Sequence, residues 1–527
     1  MSIIIILCIA AIARYWGIWF GLPSMACRPD EGHIVSRAII FFQGDLNPHW
    51  FLYPSLFMYI IFGFYIILFL LGIITKKYAS ISDLINWYDS DPTVFLLIDR
   101  CVSAFLGIAT VFIVYKIALR LFNKKTALIS SLFLGLAYLH VRDSHFGVTD
   151  VPSTFFIMCS ILFILKAYDD NFLKNYIIAG IIAGLAMSTK YVGVMLIFPM
   201  FLVNFSNNYD KDHKLYIFFH KKFLSFGIIL LVIFFLGTPY ALLDYSTFVS
   251  DVSLQWWIIN YGSSNVLGRG WWYHFRFSLF YGLGWSLFIV SLAGIFLFLK
   301  TKTKEAAIFL SFPFIYYTLG FKGYAVYLRY AIPLIPFLCV TGAIFTVFTG
   351  EILEQNIKSS LKKYLTYALA ILLIAPSTYN IIQFDTLISR KDNRLIAAEW
   401  IKNNLRENNS IVQIGAKFSR IELYNKFHEW TYDDKSGVFE YGKEKKYELP
   451  RYIIVQNYPV KIWEEIPDEI INILNKHYNH IKSLQVIDKR NKSNLFDQLD
   501  AFCMPFVGFK SIARPGPNID VYELKEP

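Results

Sequence analysis

The stretch WFLYPSLFMYIIFGFYIILFLLGIIT, Trp50–Thr75, decides how the rest of the chain is threaded. It is apolar for about the 20 residues that a helix needs to cross a bilayer, and it ends at Lys76-Lys77. If it crosses, every later loop changes side. If it stays on one side, the basic residues between the later apolar runs all fall together on the other.

Composition makes this a membrane question. The 527 residues are 56% hydrophobic and 18% aromatic, with a mean hydropathy of +0.45. Long apolar runs recur from residue 2 to about residue 383. A single soluble core is excluded, and the chain reads as a polytopic α-helical membrane protein. The net charge of +11 does not point to nucleic acid, because Lys and Arg sit mostly in short loops between spans. There they set orientation, and they suit anionic headgroups or a phosphate-bearing lipid. The cysteines Cys8, Cys27, Cys101, Cys159, Cys339 and Cys503 have no metal-ligand spacing, so no metal or other cofactor is indicated. Cys27 and Cys503 lie outside the spans, where a disulfide between them stays open.

Spans are expected at about 2–22, 99–121, 125–141, 151–168, 175–189, 191–205, 223–242, 275–299, 305–320, 329–349 and 364–383. The first lacks a basic leader, and its apolar run continues to Phe20 past a loose Ala11-Ile12-Ala13 cleavage pattern, so it reads as a retained anchor. Four basic clusters mark turns: Lys116 to Lys125, Lys211 to Lys222, Lys300 to Lys304, and Lys358 to Lys363. Eleven spans with a cytoplasmic N-terminus put all four inside. The loops with Asp30, Asp150, Trp256 to Tyr273 and Lys322 to Arg329 then lie outside, as does the tail. That count requires 51–74 to be a re-entrant or interfacial helix, which Pro54 near its start suits.

From about Phe384 the chain is rich in Asn, Lys, Glu and Asp. Leu395, Ile396, Trp400, Ile401 and Leu405 recur at helical spacing, and β-like runs follow at Ile411–Ile414, Tyr452–Val455, Leu484–Ile487 and Asp520–Leu524. The division is therefore a membrane domain, 1–383, and an extracytoplasmic α/β domain, 384–527.

Several polar groups carry candidate chemistry. Asp30 and Glu31 are a membrane-surface base or a capped, solvated loop end. In Arg142-Asp143-Ser144-His145-Phe146-Gly147-Val148-Thr149-Asp150, Asp150 precedes Pro152 and reads as an N-cap that can also orient an acceptor. His145 has no partner at ligand spacing, which favours a bridging hydrogen bond over a metal. Lys190 lies between two short apolar stretches, either snorkelling to the interface or aimed at a lipid phosphate. Trp256, Trp257, Trp271, Trp272 and Tyr273 with Arg269 and Arg276 form an interfacial belt or a sugar and phosphate platform. Arg329 and Tyr330 stand at a span entrance, where Arg329 snorkels or meets phosphate.

The ordered set resembles the GT-C superfamily of membrane glycosyltransferases, in particular its protein O-mannosyltransferase and aminoarabinose-transferase branch. The set is Asp30-Glu31, then Thr149-Asp150-Val151-Pro152, then Gly184-Leu185-Ala186 with Thr189-Lys190-Tyr191, then Arg329-Tyr330 with Pro333 and Pro336. The likeness covers roughly residues 1–383. It implies a first-loop acid as base, juxtamembrane helices filling the first outer loop, and a polyprenyl-phosphate sugar as donor. The family's Lys-Pro-Pro-like element has no counterpart in Phe51-Leu52-Tyr53-Pro54-Ser55-Leu56, which leaves phosphate binding to Lys190 and arginines such as Arg329. Arg142, His145, Arg269 and Arg276 are further substrate-binding candidates. The implied activity is inverting sugar transfer to a protein, lipid or glycan acceptor at the outer face of a cell (inner) membrane, with membrane lipid and no nucleic acid as partner. The rival readings are a transporter or lipid flippase, which internal repeats would mark, and a non-catalytic subunit of a glycan-assembly complex.

Overall fold

A computed structural model describes residues 2–209, 216–262, 267–356, 364–423, 426–434, 436–460, 466–487 and 494–526. The basic residues Lys211, Lys214, Lys358, Lys362 and Lys363 lie outside the described residues. The chain forms two compact units, one of 1–16, 33–87 and 95–382 and one of 17–32, 88–94 and 383–527. The division expected at 383 thus omits two earlier segments that belong with the tail.

The first unit is helical. Among the described residues, six helices are long and apolar enough to cross a membrane, or seven if a pair bent by 112° at Gly284 counts as one span. Others among the eleven expected spans are shorter or broken. The run 2–22 is helical only over Ile3–Tyr15, and 125–141 is split between Lys124–Gly135 and Tyr138–Ser144. A break exposes carbonyls that hydrocarbon cannot hydrogen-bond. Here fully buried Arg14 supplies the donors: its NH1 reaches Gly135 O at 2.9 Å and its NH2 reaches Leu134 O at 3.2 Å.

Contacts within this unit define two ends. At one end Arg120 Nε donates to Asp169 (2.6 Å), Lys125 pairs with Glu354 (3.0 Å), Lys222 donates to Asn171 O (2.8 Å), and Lys302 lies 5.3 Å over the Phe122 ring. Three of the four basic turns therefore share one end. The helices Thr93–Leu121, Asp150–Asp170 and Ile335–Asn356 run from there to an opposite end that holds Asp99, Asp150 and Arg329.

The helix Leu56–Ile74 has the length and composition of a span, but its neighbours keep it at that second end. Before it, Phe51 O accepts from Tyr191 OH (2.7 Å), and Ser55 N donates to Thr238 (3.4 Å). Halfway along, Tyr65 OH donates to Phe95 O (3.0 Å), close to where Thr93–Leu121 begins. Beyond it, Lys77 covers Trp87, whose ring packs on Phe95. A crossing helix would carry Ile74 about 14 Å deeper than Tyr65. The helix Leu56–Ile74 is followed by Ile81–Ser90 before Thr93–Leu121 begins.

The second unit carries a mixed sheet. Its strands are β1 (Ser410–Gly415), β2 (His428–Asp433), β3 (Val438–Tyr441), β4 (Glu444–Lys446), β5 (Tyr452–Asn457), β6 (Tyr478–Leu484), β7 (Leu495–Phe496), β8 (Pro505–Val507) and β9 (Asn518–Leu524). The main sheet runs β4-β3-β2-β1-β5-β9-β6, and β7 pairs with β8 separately. Period-2 alternation buries both faces. Ile411, Tyr452 and Ile454 meet Ala397 and Ile401 of the helix Asn393–Asn404, while Val412, Ile453 and Val455 meet Ile470 and Leu474 of Asp468–His477. This is the expected α/β tail with one register correction. The run Leu484–Ile487 is mostly not strand; β6 ends at Leu484, and Ile487 makes only an isolated bridge to Ile512. Cys27 and Cys503 are buried free thiols rather than a disulfide.

The helix Leu173–Thr189 packs closely on Lys221–Gly237 because Gly184 has no side chain; a Cβ there would fall 2.7 Å from Leu230 O. The chain then folds back at Gly193, where a Cβ would lie 2.3 Å from Met187 N. Gly193→Ala is expected to destabilise the protein by about 1–3 kcal/mol. Gly227→Ala, whose Cβ meets nothing within 4 Å, should be neutral or stabilising by up to about 1 kcal/mol. Thermal unfolding in detergent micelles compares the two, and equal behaviour would remove the hairpin constraint.

Candidate active site

Lys190 ends the helix Leu173–Thr189, and Asp150 opens the helix Asp150–Asp170. A cation at a helix C-terminus and an acid at an N-terminus each complement the local dipole. The two side chains form an ion pair, with Asp150 1% and Lys190 13% exposed. Lys190 Nζ also lies 5.0 Å over the Tyr330 ring, and Tyr330 O accepts from Tyr316 OH at 2.7 Å. Arg329 is buried beside Tyr330, its guanidinium 4.6 Å over the Tyr327 ring. Asp150 Oδ2, Thr149 Oγ1 and Ser153 Oγ are buried on one helical turn and have no hydrogen-bond partner among the described residues. Such groups are few in native proteins and mark places where a ligand can bond.

The segment Leu328–Leu334 that carries Arg329 and Tyr330 also borders an apolar cavity of about 870 Å³. Phe288, Leu292, Ile295 and Leu299 form one wall, a helical stripe about 16 Å long. Ala307, Leu310, Phe314 and Tyr317 form the facing wall, and Trp271, Trp272 and Leu334 line it as well. Two π-helical turns, His274–Leu279 and Tyr316–Gly320, flank it, and Pro313 interrupts the helix that makes the second wall.

The stretch from Arg142 to Asp150 is not an exposed loop. It is a short helix and turn with every residue buried. Arg142 pairs with adjacent Asp143 at 3.0 Å and covers Phe146. Both ring nitrogens of His145 sit at carbonyl oxygens, 3.0 Å from Val141 O and 3.0 Å from Trp16 O. His145 thus braces the short helix against Trp16. Arg269 and Arg276 are exposed, Arg269 beside Trp271 and Tyr324. No contact among the described residues joins either to the Asp150–Lys190 pair. Trp256 and Trp257 stand exposed on Tyr245–Tyr261, a helix with no buried residue, as in an interfacial belt. Sequence reasoning overlooked Asp99 and Arg100, both fully buried, with Asp99 against Gly147. Two adjacent charges at a span entrance were the available signal.

Asp30 and Glu31 belong to the second unit. Glu31 is buried and starts the helix Glu31–Ile40. Asp30 is partly exposed and held at φ 74°, a left-handed conformation that costs a non-glycine residue about 1–2 kcal/mol. Strain of that kind concentrates at functional positions. Among the described residues no group of three or more His, Cys, Asp or Glu is placed to hold a metal ion.

Residues 99–237 match the family described as dolichyl-phosphate-mannose-protein mannosyltransferase. ArnT from Cupriavidus metallidurans, solved with undecaprenyl phosphate, is similar over 98% of this chain and 97% of its own, with a TM-score of 0.57 at 13% identity. The Archaeoglobus fulgidus oligosaccharyltransferase, solved with zinc and sulfate, is similar over 99% of this chain and 88% of its own, with a TM-score of 0.52 at 12% identity. No curated protein matches the sequence. The chain is a multi-pass membrane protein with the GT-C glycosyltransferase fold. The matched residues 99–237 include Asp150 and Lys190 of the pair described above.

Lys190→Met would leave Asp150 buried without its cation, at a cost of about 3 kcal/mol. Adding Asp150→Asn to that variant should restore most of the loss, read as Tm in micelles. A single variant as stable as the parent would mean that the pair is incidental.

Proposed function

We propose that the protein transfers a sugar from a polyprenyl-phosphate donor to a hydroxyl or amine acceptor, by one displacement with inversion at the anomeric carbon. The observation that carries this reading is the apolar cavity of about 870 Å³ bordered by the segment that holds Arg329 and Tyr330, with Lys190 over Tyr330. A long apolar slot that the segment reaches through Leu334, five residues from Arg329, suits a ligand that is a hydrocarbon chain at one end and a phosphate at the other. The undecaprenyl phosphate bound by the structurally similar ArnT is such a ligand.

In this mechanism Asp30, with Glu31 as the less accessible alternative, accepts the acceptor's proton as its oxygen or nitrogen bonds to the anomeric carbon. The bond from that carbon to the phosphate oxygen breaks, and its electrons leave on polyprenyl phosphate. Lys190 and Arg329 stabilise the charge that develops there, a large term in a water-poor site. Approach of a phosphate loosens Lys190 from Asp150, which is then free to accept a hydrogen bond from the acceptor with Thr149 and Ser153. The basic end faces the cytoplasm, and the sugar is transferred at the extracytoplasmic side of a cell (inner) membrane.

Purified protein given polyprenyl-phosphate sugars should release polyprenyl phosphate. Asp30→Asn should lower kcat by about 10²–10⁴-fold. Lys190→Gln should weaken polyprenyl-phosphate binding by about tenfold, the loss of one charge-assisted contact. Undiminished turnover in folded Asp30→Asn removes Asp30 from the mechanism. Uptake or flipping of a lipid-linked sugar with no transfer would favour the transporter reading instead.

A further inference from the structure

The loop that carries Asp30 is built into the same compact unit as the C-terminal domain. Arg28, two residues before Asp30, is fully buried and pairs with Asp500 at 2.6 Å, its guanidinium 5.6 Å from the Phe502 ring centre. Phe20 meets the same ring edge-on, and Ser24 donates to Glu422 at 3.0 Å. Arg394 is a second fixed point. It is forked onto Asp392 (2.9 and 2.8 Å), and its remaining nitrogen donates to Ala26 O at 2.9 Å and Phe418 O at 2.8 Å. Asp392 in turn caps the helix Asn393–Asn404 by accepting from Arg394 N at 2.9 Å. The backbone at Ala26 and the side chain at Arg28 are therefore both held by tail residues within four positions of Asp30. Asp30 itself keeps an unfavourable backbone angle.

Stability alone does not call for this arrangement. Apolar side chains of similar volume would bury the loop without desolvating two arginines and two aspartates. What buried, directional pairs add is one geometry for the backbone they grip. We propose that Arg28, Asp500 and Arg394 are positioning residues, through which the C-terminal domain fixes the 17–32 loop and aims Asp30. This rests on the reading of Asp30 as the base. The domain's contribution to catalysis is then mechanical, and it touches neither sugar nor phosphate.

The test uses the full chain in nanodiscs with Asp500→Asn and, separately, Arg28→Gln. Three quantities are read: hydrogen–deuterium exchange of 17–32, kcat with a polyprenyl-phosphate sugar, and affinity for undecaprenyl phosphate. Expected are faster exchange in the loop with the β1–β5–β9 core still protected, and a fall in kcat of about tenfold or more, because misplacement of a reacting group by about 1 Å costs up to about 100-fold. Undecaprenyl phosphate affinity should stay within about twofold, the contacts with the lipid being elsewhere, and Asp500→Glu should recover turnover. Unchanged loop exchange overturns the proposal. So does a parallel loss of kcat, lipid affinity and thermal stability, which would mark a general structural role. If the parent protein turns over no polyprenyl-phosphate sugar, the transferase reading fails, and loop exchange alone decides whether the tail holds the loop.

Discussion

A charged side chain at membrane depth must bring its own partner, and that constraint organises the first unit. The Lys190–Asp150 pair satisfies it with one contact that joins the last turn of one helix to the first turn of another. Each charge also complements the dipole of the helix that carries it. A lysine costs several kcal/mol without such company, and this one stands at the end of the helix that leads into the turn at Gly193. Arg14 obeys the same rule in another way, with its charge spent on the open carbonyls of a broken helix.

The same constraint explains where chemistry can occur. Apart from that end, the unit is apolar between its basic turns and its buried charges, and its cavity is lined almost entirely by hydrocarbon and rings. The lipid-linked donor proposed above has a matching division, an apolar tail and a charged phosphate. The helix Leu56–Ile74 adds to this end through Tyr65 and Phe95 and through Tyr191 and Phe51, so an apolar helix of spanning length serves as part of the site's frame.

Much of this was legible in the residues, and the failures have a common cause. Apolar runs located the helices, basic turns located one end, and the pairing of Lys190 with a break between two short helices marked the hairpin. The run from Arg142 to Asp150 misled because composition shows that charges are present without showing whom they meet. Arg142 meets its neighbour Asp143, and His145 meets two carbonyls, so a stretch that resembles a surface loop is wholly interior. In the tail, β1, β5 and β9 announced themselves through buried β-branched residues. The strands β2 to β4 and most of β6 did not, because Glu, Asp, His or Lys interrupt their apolar residues; on the edge strands β4 and β6 such charge blunts unwanted pairing. Least legible was the membership of 17–32 in the second unit. It depends on Arg28 finding Asp500 across 472 positions of chain, a contact that no local pattern encodes.

That long-range pairing has a consequence for how such a protein changes over time. The tail appears detachable after residue 383, yet 17–32 and 88–94 fold as part of it. The three pieces are one module written in three places, and a substitution at Asp500 or Arg394 has to be answered near the N-terminus. Exchange of the tail between relatives by a single crossover would separate the module from its own first loop. Descent of this domain is therefore tied to descent of the whole chain.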